Sequence, residues 1–108
     1  MRRGDVVVVA LPGDFGKPRP ALIIQSDLFN ETHPTLTVLP LTSEIRSTPQ
    51  FRITVEPSPT NGLRRISQIM VDKPMTFRRD KIRAPLGRVD DATMLRVGRA
   101  LAVGIGIA

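Results

Sequence analysis

Cysteine, tryptophan and tyrosine are absent from this chain of 108 residues, and histidine occurs once, as His33. Without cysteine there are no disulfides and no thiolate metal ligands. A single histidine leaves no HxxxH or Cys-His spacing for a metal, and its place beside Pro34 reads as a solvated loop histidine. Four phenylalanines, Phe15, Phe29, Phe51 and Phe77, are the only aromatics. They are too few for a broad stacking platform on single-stranded nucleic acid, though enough for one or two stacked bases. No apolar run is long enough to span a bilayer. The apolar stretch Val6 to Leu11 is too short for a signal peptide and lacks its cleavage signature. A cytoplasmic protein with no membrane partner is the expectation. There is also no GxSxG, Walker A loop or GxGxxG, so neither a cofactor nor a metal is expected.

What is present is positive charge. Sixteen Lys and Arg against ten Asp and Glu give +6, and the isoelectric point is near 11.3. Thirteen of the sixteen are arginine; the lysines are Lys17, Lys73 and Lys81. Arginine enrichment has two readings. One is the codon usage of a GC-rich genome. The other is contact with phosphate or carboxylate, which the planar guanidinium grips with two parallel hydrogen bonds. A basic domain of this size suits a polyanion or an acidic protein partner.

The length fits one domain, 1–108, with a modest core. Ten prolines and eight glycines cut the chain into short pieces. Val6 to Ala10 and Ala21 to Gln25 are continuous apolar runs, as in strands buried on both faces. Leu11 to Pro20 reads as the loop between them. Ser26-Asp27 can cap one helical turn through Phe29-Asn30. Thr35 to Leu39 is a third strand, closed by Pro40, and Thr42 to Ser47 a polar loop. Phe51, Ile53 and Val55 alternate with Arg52 and Thr54, the pattern of a half-exposed strand. Glu56 to Gly62 is a turn, and Ser67 to Val71 the next strand. Thr76 to Arg79 and Lys81 to Gly87 read as a short helix or turn leading into an edge strand. Asp90-Asp91 then caps a helix with an apolar stripe of Met94, Val97, Leu101 and Ile105, stopped by Gly104 and Gly106. Five to seven short strands followed by one helix predict a small, strongly bent sheet with the helix packed on one opening.

Polar residues cluster at the strand ends. Asp14 and Arg19 flank the first loop, Thr42 and Ser43 follow the third strand, and Gln68 and Asp72 bracket Ile69-Met70-Val71. Pro18 and Pro20 fix the backbone around Arg19. An arginine held this way is half of an ion pair or a grip for phosphate. A hydroxyl beside it either caps a turn or donates to the same phosphodiester. A carboxylate close by can take the proton of a ribose 2′-hydroxyl.

The sequence also resembles, over essentially its whole length, the MazF/PemK (Kid) family of toxins. The resemblance is carried by Arg3-Gly4-Asp5, the valine run, Arg19-Pro20-Ala21-Leu22, Pro40-Leu41-Thr42-Ser43, Asn61-Gly62-Leu63, the stretch Ser67 to Pro74, Leu86-Gly87 and the terminal helix. It implies an SH3-like bent-sheet barrel that forms a homodimer. It implies a metal-independent endoribonuclease that cuts single-stranded RNA, usually mRNA, by attack of a 2′-hydroxyl on the adjacent phosphate. By this likeness Arg19 serves the scissile phosphate, Thr42 binds it, Asp14 falls where some members carry a glutamate base, and Asp72 matches an aspartate of the Kid branch. That branch has an arginine two residues before its aspartate, where this chain has Met70. Lys17, Ser43 and Gln68 are expected to contact substrate. The implied protein partner is an antitoxin whose acidic, disordered tail lies along the basic cleft. Two other roles fit parts of the pattern: a CcdB-like inhibitor of DNA gyrase, against which the lack of tryptophan counts, and a nucleic-acid-binding module without catalysis.

Overall fold

The computed structural model describes residues 1–13 and 16–108. Seven strands precede one helix: β1 (Asp5–Ala10), β2 (Pro18–Ile23), β3 (Thr35–Thr42), β4 (Arg52–Val55), β5 (Ser67–Met70), β6 (Met75–Arg78), β7 (Gly87–Arg88) and α1 (Asp91–Gly104). The strands run in the order β4-β5-β3-β2-β1-β7, and β6 pairs with β3. Every pairing is antiparallel. The fold is therefore mostly β with one C-terminal helix, as the sequence implies.

Two apolar clusters, one on each face of the central strands, explain the continuous apolar runs. Val6, Leu22, Leu39 and Leu41 join Ile53, Val55 and Ile69 in the cluster that receives Met94 and Val97 of α1. Val7, Val9, Ala21, Ile23, Leu36 and Val38 form the other, closed by Ile82, Met75 and Phe77. A strand sandwiched this way needs apolar residues on both faces, so alternation disappears. In β4 only one face is covered, and Ile53 and Val55 alternate with exposed Thr54.

Proline positions correct two expected boundaries. β2 begins at Pro18, not Ala21, so Arg19 lies within a strand and pairs with Val9. β3 pairs with β2 only from Ala21 to Ile23. The missing amides of Pro18 and Pro20 face that unpaired edge, where nothing needs them. β3 runs on through Pro40 to Thr42. Thr35–Val38 pair with β6, whereas Leu41 and Thr42 pair with β5. Pro40 falls at the exchange of partners, again where no ladder bond is lost.

Three smaller expectations also change. The segment after Ser26 is a succession of turns, begun by the Ser26 hydroxyl accepting the Leu28 amide at 3.2 Å, and contains no helix. Thr76 to Arg78, expected as a short helix or turn, belong to strand β6, and only Arg79–Lys81 makes a 3₁₀ turn. Ile105 leaves the apolar stripe and is 65% exposed. Gly106, at φ +82°, stops α1: its amide donates to the Val103 carbonyl and the Ile107 amide to that of Ala102. This is the double bond of a left-handed helix stop. Among the described residues no helix is long and apolar enough to cross a membrane.

Candidate active site

Register alone brings the predicted residues into one row. Val9 pairs with Arg19, Thr42 with Gln68, and Gln68 with Thr54. The β2–β3 register pairs Ala21 with Pro40. Continued by two residues, it sets Arg19 level with Thr42. Residues directly opposite across an antiparallel pair point to the same face. The row therefore runs Arg19, Thr42, Gln68, Thr54 over one face of the sheet, opposite α1. Arg19 and Thr42 are half-buried, where the Val9–Val38 cluster gives way to solvent.

The loop after β3 builds the rest. The Thr42 hydroxyl oxygen accepts the Glu44 amide at 3.1 Å, a turn that fixes the hydroxyl over the strand end. Ser43 is exposed at the tip. Gln68 is 4% exposed. Its Oε1 accepts the Arg46 amide at 3.0 Å and Arg52 Nη1 at 3.3 Å. Its Nε2 donates to the Arg46 carbonyl at 3.0 Å and to Thr54 Oγ1 at 3.3 Å. All four hydrogen-bonding positions of the amide are thus used within the chain. Arg52 Nη1 also donates to the Glu44 carbonyl at 2.9 Å. Glu44 pairs with Arg46 at 2.8 Å. That hydrogen bond and charge hold the Glu44 carboxyl below the usual range and push the Arg46 guanidinium up.

Other predicted residues stand apart from this row. Asp72 lies in the turn after β5, four residues beyond Gln68 and past the end of the strand. It is exposed and lies 3.5 Å from the Lys73 ammonium. Lys17 is exposed just before β2. Asp14 lies outside the described residues. His33 is an exposed loop residue whose carbonyl accepts from Arg79 at 3.0 Å.

Three cations near the row escaped sequence reasoning. Arg52 sits at the start of β4 and was read as the polar half of an alternating strand. Lys81 and Arg83 line a hollow of about 90 Å³ with Pro18 and Val9, the cross-strand partner of Arg19. The signal for them lies in topology: the Arg83 amide donates to the Val8 carbonyl, folding the segment after β6 across the end of β1. Among the described residues there is no cluster of three or more His, Asp or Glu that could hold a metal ion. What the arrangement offers is an arginine and a hydroxyl on one face of the sheet, with the Arg52 guanidinium bonded to Gln68, the partner of Thr42. That combination suits a phosphodiester with its neighbouring phosphates.

Comparison with known proteins identifies the family. The chain is 44% identical to a probable endoribonuclease MazF of Mycolicibacterium smegmatis, over all of this chain and 99% of that protein. It is 26% identical to the endoribonuclease EndoA of Bacillus subtilis, covering 99% and 96% of the two chains. A solved mycobacterial endoribonuclease in complex with its cognate antitoxin superposes with a TM-score of 0.82 at 26% identity, over 100% of this chain and 97% of that one. The model of PemK-like, MazF-like toxins matches residues 2–105, and the chain belongs to that family of toxins of type II toxin-antitoxin systems.

Proposed function

We propose that this toxin is a sequence-specific, metal-independent endoribonuclease that cuts single-stranded RNA, including mRNA, in the cytoplasm. The observation that carries the reading is the shared row of Arg19 and Thr42 on one sheet face. The names of the relatives, endoribonucleases along nearly their whole length, support it.

In this reading the Arg19 guanidinium and the Thr42 hydroxyl donate to the non-bridging oxygens of the scissile phosphate. The ribose 2′-oxygen attacks phosphorus, and its proton passes to a carboxylate. The P–O5′ bond breaks, leaving a 2′,3′-cyclic phosphate and a 5′-oxygen that takes up a proton. Arg19 offsets the charge that grows on the phosphate, where preorganised donors have their largest effect. Asp14 is assigned the role of base, and Asp72 is the second carboxylate of the proposal. Ser43 and Lys17 contact the RNA on either side.

A cognate antitoxin with an acidic, disordered tail would cover the same cations and exclude RNA. A homodimer is proposed as well. The outer face of α1, with Leu95 56% and Val103 66% exposed, gives an apolar surface for a second copy. The test is to incubate the purified chain with long single-stranded RNA in excess EDTA and read the fragment ends. Discrete fragments with 5′-hydroxyl ends are expected. Intact RNA across several sequences would overturn the reading and direct attention to gyrase.

A further inference from the structure

The segment from Ser43 to Gln50 is exposed at every position, including Ile45 at 52%. No apolar side chain anchors it, so its shape must come from polar bonds. Those bonds converge on Gln68. Its buried amide brackets the Arg46 peptide from both sides, and Arg52 ties the same amide to the Glu44 carbonyl. Burying an amide is unfavourable unless its donors and acceptors are all satisfied. Here three of the five bonds of this network go to the loop backbone, and none is left for a ligand.

We infer that Gln68, braced by Arg52, is a positioning residue that holds the Thr42–Arg46 loop, so that Thr42 and Ser43 meet the scissile phosphate in reactive geometry. The inference rests on the cleavage reading above. It assigns Gln68 a role through Thr42 instead of contact with RNA. A loop already fixed in its working shape orders little on binding, and misplacing it costs rate more than affinity.

The test is steady-state kinetics on an RNA oligonucleotide with one cut site, with the wild type, Gln68→Leu, Thr42→Ala and the double variant. For Gln68→Leu, kcat should fall about 10- to 100-fold while KM stays within about threefold. The double variant should be no more than about twofold slower than Thr42→Ala alone, because the two residues act as one unit. Gln68→Glu keeps the acceptor for Arg46 and Arg52 and should recover part of kcat. Amide hydrogen exchange gives a readout without RNA: the Glu44 and Arg46 amides should exchange faster in Gln68→Leu, with β3 and β5 unchanged. A raised KM at unchanged kcat, multiplicative losses in the double variant, or unaltered exchange would each overturn the inference. If Gln68→Leu does not fold, Arg52→Met, which removes the donor shared by the Glu44 carbonyl and Gln68, carries the same expectations. If the wild type cuts no RNA, the cleavage reading fails, and exchange in the loop decides separately whether Gln68 holds it.

Discussion

Asp5 and Arg88 meet across 83 positions of sequence, with Arg88 Nη1 donating to Asp5 Oδ1 at 3.1 Å. Asp5 is only 7% exposed, and its other oxygen accepts the Arg2 amide at 2.8 Å. The Arg-Gly-Asp opening is thus a clasp that fastens β1 to β7 just before the helix. Arg88→Ala would leave a buried carboxylate with one amide partner. Its unfolding free energy should drop by about 1–3 kcal/mol, the cost of leaving a mostly buried acceptor short of a partner. Urea titration measures this, and kcat per folded molecule should not change. A loss within experimental error would mean that the clasp is solvated.

The turn Glu56 to Gly62 docks on β7 through backbone contacts that tolerate no side chain. A Cβ on Gly87 would lie 2.4 Å from the Thr60 carbonyl oxygen, which accepts the Arg88 amide at 2.7 Å. Asn61, 4% exposed, holds the turn from inside by accepting from Ser58 and Leu63 and donating to Glu56. Gly87→Ala should therefore destabilise the chain by about 2–3 kcal/mol, in the range of overpacking. Gly98→Ala is the contrast. Its nearest neighbour would be Arg3 at an ordinary 3.7 Å, and helix propensity predicts a gain of up to about 1 kcal/mol. Thermal melts of both variants should move in opposite directions.

These two contacts also show what a sequence can and cannot disclose. The valine run and the Met94–Val97 stripe were legible because burial on a face leaves a period, or its absence, in the residues themselves. Arg19 and Thr42 were legible as strand-end residues, and through likeness to a family. The strand start at Pro18 was not. Proline usually ends a strand, and here it is accommodated because β3 pairing reaches only as far as Ala21, three residues on, a fact of register. Arg52, Lys81 and Arg83 were missed for the same reason. Gln68 was singled out, but the bonds its amide makes were not legible, because the loop that uses them lies 22 residues away in sequence. Asn61-Gly62 stood out as a turn, and the positive φ of Gly62 with the Leu86 carbonyl 2.4 Å from where a Cβ would stand explains why glycine is needed there.

Acid should weaken the fold partly through two exposed aspartates. Asp27 is held below the usual carboxylate range by the Arg3 amide, then by the Asn30 side chain. Asp90, the N-cap of α1, is held low by its hydrogen bonds to Thr93. A carboxyl with a depressed folded pKa contributes stability that is fully present above its unfolded pKa. That contribution is lost as pH falls through the folded value. Asn caps a helix nearly as well as Asp but carries no charge. The melting temperatures of wild type and Asp90→Asn should therefore differ at neutral pH and converge in acid, and likewise for Asp27→Asn. A constant gap across the carboxylate range would show that neither group is linked to folding.

Substitutions at the row separate its chemistry from its architecture. Arg19→Ala removes a half-buried guanidinium at the margin of the core, so the fold should persist, and cleavage should fall by about 100- to 1000-fold, as for loss of a preorganised charge-stabilising donor. Arg19→Lys keeps the charge without the planar fork and should fall between. The Thr42 hydroxyl accepts the Glu44 amide and, in the proposed reading, also donates to phosphate. Thr42→Ser preserves both and should stay near wild type. Thr42→Val keeps the shape and loses both, and should lose about 10- to 100-fold. Among the carboxylates, Asp72 stands at the far end of β5 from Thr42. Asp72→Asn should therefore cost less than Asp14→Asn, whose loss should also flatten the acid limb of the pH–rate profile. If Asp72→Asn proves the more damaging, the scissile phosphate sits further along β5 than the Arg19–Thr42 row, and the base must be sought at that end of the strand.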